Sequence, residues 1–114
     1  MKSNTLSKLA SMAADPQYSN PRAVFWQAMA FATALPDDCR EGCHVAPESC
    51  GDIQFDWDKG CGPDILKRDW VTLSIDSTGE VTWASRNRPA DKTFKFAGKV
   101  PEELIAEIRK ALAA

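Results

Sequence analysis

The sequence predicts a two-layer α+β domain: a four-stranded antiparallel meander with helices packed on one face. Two observations predict it. Residues 70–83, Trp-Val-Thr-Leu-Ser-Ile-Asp-Ser-Thr-Gly-Glu-Val-Thr-Trp, read as a β-hairpin. Val71, Leu73 and Ile75 alternate with Thr72 and Ser74, Val81 and Trp83 resume the alternation, and Asp76 with Gly79 brackets a tight turn. An Asp at that position accepts hydrogen bonds from amides two residues on, and a Gly can take the left-handed conformation that closes a type I turn with a bulge. The second observation is that residues 21–35 and 101–113 are helical in pattern and apolar enough to cover one face of a small sheet.

The remaining elements follow in chain order. Residues 5–14 place Leu6, Leu9 and Ala13 at helical spacing behind Ser and Thr caps, and Asp15-Pro16 stops that helix. Asn20-Pro21 opens the next, with Asn as N-cap and Pro at the first position. Its residues Val24, Phe25, Trp26, Ala28, Met29, Phe31, Ala32 and Leu35 are apolar nearly all round, so the helix is expected to be largely buried. Residues 36–51 show neither helical nor strand period and are expected to form a long loop, a length that marks functional or tethered segments. Ile53-Gln-Phe-Asp-Trp57 is a strand whose wet face carries Gln54, Asp56 and Asp58. After the hairpin, residues 86–91 read as a polar loop and Thr93-Phe-Lys-Phe96 as the fourth strand. Val100-Pro-Glu-Glu starts the last helix, with acids against the positive end of the helix dipole. Leu104, Ile105, Ile108 and Leu112 make its apolar stripe. Trp57, Leu73, Ile75, Trp83, Phe94 and Phe96 are the expected sheet side of the core.

The 114 residues suffice for one domain spanning the chain, 1–114, with 44% hydrophobic and 26% charged residues, an ordinary globular balance. No stretch approaches the ~20 apolar residues that a membrane span needs. The first residues, Met1-Lys-Ser-Asn-Thr-Leu, have no apolar stretch behind them, so no secretory leader is expected and cytoplasmic location is the expectation. The net charge of −2 hides an asymmetry: residues 37–58 hold seven acids against Arg40 alone. The overall balance lacks the basic footprint of a nucleic-acid binder.

The hairpin ending Gly-Glu-Val-Thr-Trp-Ala, a polar loop, the Phe-x-Phe strand and the Val-Pro-Glu-Glu-Leu helix start resemble small uncharacterised α+β proteins carried by mobile elements, of the integron gene-cassette type. The resemblance covers residues 70–112. It implies an accessory protein of a mobile element and assigns no catalytic residue.

Candidate chemistry concentrates in residues 37–61. Cys39-x3-Cys43-His44-x5-Cys50-x10-Cys61 is the only cluster of soft ligands. The first pair has zinc-knuckle spacing, but Cys50 and Cys61 do not form a second knuckle. A zinc site, a disulfide holding the long loop, and free thiols remain three open readings, and at least one crosslink is expected because the loop has little apolar surface to order itself. His44, the only histidine, could serve as base to a cysteine nucleophile, but adjacent residues such as Cys43 and His44 point in different directions. A basic and aromatic grouping of Arg86, Arg88, Lys92 and Lys95 with outward Trp70 would suit single-stranded nucleic acid, which the acidic total disfavours.

The expected function is therefore that of a non-enzymatic binding or adaptor protein with a protein partner and no cofactor. It would act through the acidic loop (Asp37, Asp38, Glu41, His44) or the outer sheet face (Trp70, Arg86, Arg88). A small zinc module using Cys39, Cys43, Cys50 and Cys61 is the alternative, and a thiol-dependent enzyme a further one. The pattern names no oligomeric state.

Overall fold

The computed structural model describes residues 5–15, 17, 20–48, 50–58, 69–86 and 88–113. Four helices and five strands run in the order α1 (Thr5–Ala14), α2 (Arg22–Ala34), α3 (Asp37–Glu41), β1 (His44–Pro47), β2 (Ile53–Trp57), β3 (Val71–Ile75), β4 (Glu80–Ser85), β5 (Arg88–Lys95), α4 (Glu102–Ala113). The strands form one antiparallel sheet in the order β1-β2-β3-β4-β5, each paired with its neighbour in sequence. The α+β class, the antiparallel meander and the helical cover on one face match the sequence pattern.

The strand count does not. The segment 36–51, expected to be a loop, contains both α3 and β1. Each is too short to show a period: α3 buries Cys39 and β1 buries Val45. The polar loop expected over 86–91 also gives way, because β5 begins at Arg88 and runs for eight residues along the sheet edge. Pro89 has no N–H to give to a ladder and belongs on such an edge. Pro21, not Asn20, occupies the cap position of α2; the Asn20 side chain instead donates to the Asp52 carbonyl at 3.3 Å.

The hairpin turn forms as its residues dictate. Asp76 Oδ1 accepts from the Thr78 amide at 2.8 Å, the Thr78 hydroxyl at 2.7 Å and the Glu80 amide at 3.0 Å. Gly79 takes a φ of 90°, where an L side chain is strained, and its amide donates to the Asp76 carbonyl. Strands β2 and β3 alternate buried and half-buried residues throughout. Their buried face, with Val81 and Trp83, meets Val24, Ala28, Phe31, Leu104 and Ile108 of α2 and α4 in one core. Phe31 lies edge-on to both Phe55 and Phe96, with ring centroids 5.3 and 5.4 Å apart.

Helix α3 ties this core together. Its C-terminal carbonyls lie beyond the reach of its own N–H groups, and that of Arg40 accepts from the Cys43 amide at 3.3 Å just past the helix. Trp57, fully buried on β2, donates its indole N–H to the Cys39 carbonyl at 2.7 Å. The Thr5 hydroxyl of α1 donates to the Arg40 carbonyl at 2.8 Å. Arg40 in turn reaches back to the end of α2, where Nη1 donates to the Ala32 and Leu35 carbonyls at 3.1 and 3.2 Å. Gly42, just past α3, leaves room for Leu112 of α4: a Cβ there would sit 2.5 Å from Leu112 Cδ2.

The largest departure from the sequence pattern is on α2. Trp26, expected inside, is 68% exposed. The helix is apolar on more faces than the rest of the molecule covers. Among the described residues, no helix is long and apolar enough to cross a membrane.

Two outcomes follow from these contacts. Replacing Trp57 with Phe keeps a ring in the core but strands the Cys39 carbonyl, and should cost about 1–3 kcal/mol in urea unfolding. A neutral result would remove the indole bond as an anchor. The hydroxyl and amide of Thr78 hold the Asp76 carboxyl below its usual range. Its contribution to stability is present above the ordinary carboxylate value of about 3.9 and is lost as pH falls through the lower folded value. Wild type should therefore exceed Asp76→Asn in urea midpoint near neutral pH, and the difference should shrink steadily as pH falls below the ordinary carboxylate value.

Candidate functional site

The helices pack on one face of the sheet, and no helix among the described residues covers the other, the open face. Cross-strand register decides which residues meet there. Asp56 of β2 stands opposite Thr72 of β3 and His44 of β1, and Gln54 opposite Ser74 and Ala46. Because strand side chains alternate, these residues share the open face while Ile53, Phe55 and Trp57 point into the core.

Asp56 is the hub of this face. Its carboxylate accepts from the Thr72 hydroxyl at 2.6 Å and from the Gln54 amide nitrogen at 3.0 and 2.9 Å. The Ser74 hydroxyl donates to Glu48 at the start of the β1–β2 turn. Thr82 and Thr93 pair their hydroxyls at 3.3 Å on the same face. Asp56 is thus held in one orientation, half-buried, with acceptor capacity left over; a carboxylate offers about four lone-pair sites. Asp52 and Asp58 flank β2 on either side, so the β1–β2 end of the face is acidic.

The residues singled out from sequence distribute unevenly around this face. Trp70 is half-buried beside it, and its carbonyl accepts from the Arg86 amide at 3.1 Å. His44 is exposed on β1, across from Asp56, and its imidazole makes no hydrogen bond among the described residues. Asp37 and Asp38 are engaged within the fold: Asp37 pairs with Arg40, and Asp38 pairs with Arg109 of α4 at 2.9 and 3.3 Å. The Arg109 guanidinium holds the Asp38 carboxyl below its ordinary range. Glu41 is exposed at the end of α3. The side chain of Arg88 lies outside the described residues. Lys92, grouped with the outer face from sequence, stands opposite inward-facing Trp83 and pairs with Glu103 of α4 at 2.6 Å. The basic and aromatic grouping is thereby divided between the two faces.

The cysteines are separated too. Cys39 is fully buried in the core, Cys43 half-buried and Cys50 exposed, and all three are free thiols. Cys61 lies outside the described residues. The expected crosslink is a disulfide or a metal joining two or more of Cys39, Cys43, Cys50 and Cys61; no disulfide joins the three described cysteines. Order in residues 37–51 comes instead from the capped carbonyls of α3 and the pairing of β1. Burial pushes the Cys39 thiol up to about 11, with the Asp38 charge adding to the effect, and burial also raises Cys43 far above its ordinary value. Raised thiols of this kind are poor nucleophiles at neutral pH. Cys50 instead stands with Glu48 and Asp52, their ligand atoms within 4.8 Å of one another, an exposed group of a kind common without any ion.

Asp56 was legible as a wet-face residue from its alternation with Phe55 and Trp57. Its role as hub was not, because its partner Thr72 comes from a register that no single strand encodes. No protein-family model matches the chain, and neither does any curated protein or solved structure. Alkylation of the native protein, mapped by mass spectrometry, should label Cys50 rapidly and leave Cys39 and Cys43 unlabelled until denaturant is added. Rapid native labelling of either buried thiol would contradict the assigned burial and protonation.

Proposed function

We propose that this chain is a non-enzymatic binding protein of a mobile genetic element, and that it holds a protein partner against the open face of its sheet and the acidic turn beside it. The supporting observation is the open face itself, with a carboxylate fixed at its centre by Thr72 and Gln54. A group oriented before binding loses little freedom on binding, so such a face recognises a partner at low entropic cost. The acids Glu48, Asp52, Asp56 and Asp58 favour a partner surface rich in N–H donors and basic side chains. The mobile-element part of the reading rests on the resemblance of residues 70–112.

Two features weigh against the thiol-enzyme alternative. The Cys39 and Cys43 thiols are raised by burial, and the His44 imidazole is hydrogen-bonded to neither a thiol nor a carboxylate among the described residues.

Co-purification of the tagged full chain from cells of its native host tests the proposal. A partner retained by wild type and by Lys99→Ala should be lost from the Asp56→Asn, Glu48→Gln double variant and from Trp70→Ala, each shown to be folded by circular dichroism. Equal recovery by all four proteins would overturn it. So would stoichiometric zinc in protein purified under reducing conditions, which would move the reading to a metal module.

A further inference from the structure

The two edges of the sheet are unlike. At one, β1 is four residues long, buries Val45 and has α1 packed against it. At the other, β5 is the longest strand of the sheet, and no strand among the described residues lies beyond it. Asp91, Lys92, Thr93 and Lys95 are exposed there. Helices α2 and α4 pack chiefly over β2 and β3, further in from that edge. A long edge strand of this kind is a template for another strand.

The ladder sets which backbone groups the edge presents. The Phe96 amide donates to the Gly79 carbonyl at 2.8 Å. In the same register, Phe94 with Val81 and Lys92 with Trp83 are the hydrogen-bonded pairs of β4 and β5. The amides and carbonyls of Thr93 and Lys95 therefore point away from β4, and none makes a backbone hydrogen bond among the described residues. The Asp91 carbonyl shares a planar trans peptide with the inward Lys92 N–H, so it points outward too. Thr93 stands on the open face, where its hydroxyl meets Thr82, and alternation sets Asp91 and Lys95 on that side. Neither forms a salt bridge among the described residues. Lys92 faces the helical side and pairs with Glu103, and half-buried Phe94 lies there against the core.

We infer that β5 pairs with β5 of a second copy of this chain, antiparallel about a two-fold axis at Thr93, and joins two sheets into one. In that register the Thr93 amides and carbonyls of the two copies bond reciprocally. Each Lys95 amide meets the Asp91 carbonyl of the other copy. Each Asp91 carboxylate also stands opposite the other copy's Lys95, an unlike pair made twice by the symmetry. Neighbouring registers lose this match. Centred on Phe94, the pairing sets Lys95 against Thr93 and Asp91 against Ala97, which lies past the end of the strand. Centred on Lys92, it opposes two lysines and brings in Pro89, which has no N–H to give. Edge lysines ordinarily keep other strands away. Here Lys92 is turned to Glu103, and Lys95 has its counter-charge within the same strand of the copy. The two Phe94 rings are diagonal neighbours on the helical side, within reach of one another. Because the axis stands perpendicular to the sheet, both open faces lie on one side. The inference is independent of what those faces bind.

Sedimentation equilibrium of the full chain over a concentration series, combined with backbone amide exchange, tests the inference. Wild type should pass from monomer to dimer, and the Thr93 and Lys95 amides should exchange more slowly as dimer forms. Asp91→Lys and Lys95→Asp should each weaken the dimer by about tenfold or more, since unlike charges become like ones at two positions. Mixed in equal amounts, the two variants should dimerise with each other about as tightly as wild type, because every pairing between them again joins unlike charges. Thr93→Pro removes an N–H that faces away from β4, so the monomer should keep its circular dichroism while the dimer is lost. Should Lys95→Asp unfold beside Glu80, the amide exchange and Thr93→Pro decide the matter alone. A chain that stays monomeric at every concentration, a dimer that Thr93→Pro leaves intact, or a mixture no tighter than its two parents would overturn the inference. Growth past the dimer into open polymers would overturn it in favour of β5 pairing with β1.

Discussion

A helix too short to satisfy its own carbonyls sets the terms of this fold. Five residues, Asp37–Glu41, form α3, and carbonyls left over from its single turn need donors from elsewhere. The Trp57 indole and the Thr5 hydroxyl supply them from β2 and α1. Arg40 from the same helix performs the reciprocal service for α2, whose last carbonyls form the negative end of its dipole and are met by the guanidinium charge. Asp38 adds the link to Arg109 of α4. One turn of helix is thus in contact with each of the other three helices and with the sheet. The other polar links between helices and sheet lie at α4, where Lys92 pairs with Glu103 and the Ser85 hydroxyl donates to Glu107; α3 adds directional bonds that reach α1 and α2 as well.

That arrangement explains which parts of the molecule could be read from the chain. Strands β2, β3 and β4 and helices α1, α2 and α4 are longer than the repeat of their own pattern, so alternation or a stripe appears in the sequence. The Asp76 turn is encoded by local hydrogen bonding and needs no distant residue. Helix α3 and strand β1 bury one side chain each, Cys39 and Val45, and one residue cannot display a period. The α3 carbonyls meet donors 18 and 35 positions away, and β1 is held by its pairing with β2, neither of which a local period reveals. Trp26 misleads for a related reason. An apolar face is covered only where the fold supplies something to cover it, and here the layer stops at α2.

The two faces of the sheet have opposite characters and divide the molecule's tasks. Toward the helices lie Phe55, Trp57, Leu73, Ile75 and Trp83 in one packed core. Away from them lie hydroxyls, an amide and the Asp56 carboxylate, bonded to each other across strands. The candidate site is therefore a by-product of alternation: the residues that could not enter the core are the ones the register sets side by side on the far face. Its register was not visible in advance, although each member was correctly assignable to the wet side.

The meander also has a temporal meaning. Every strand pairs with its neighbour in sequence, so the sheet can be assembled from one hairpin outward, the longest connection to close being residues 58–70 between β2 and β3. The contacts that bring in α4 are of another kind, since Arg109 meets a partner 71 positions earlier. During synthesis the sheet can be complete while the half of its core supplied by Leu104, Ile105 and Ile108 does not yet exist. The nascent sheet then has one greasy side and one hydrophilic side, and the late helix has only one side on which it gains anything by landing. Polarity of the far face acts as a guide for assembly before it acts as a surface for anything else.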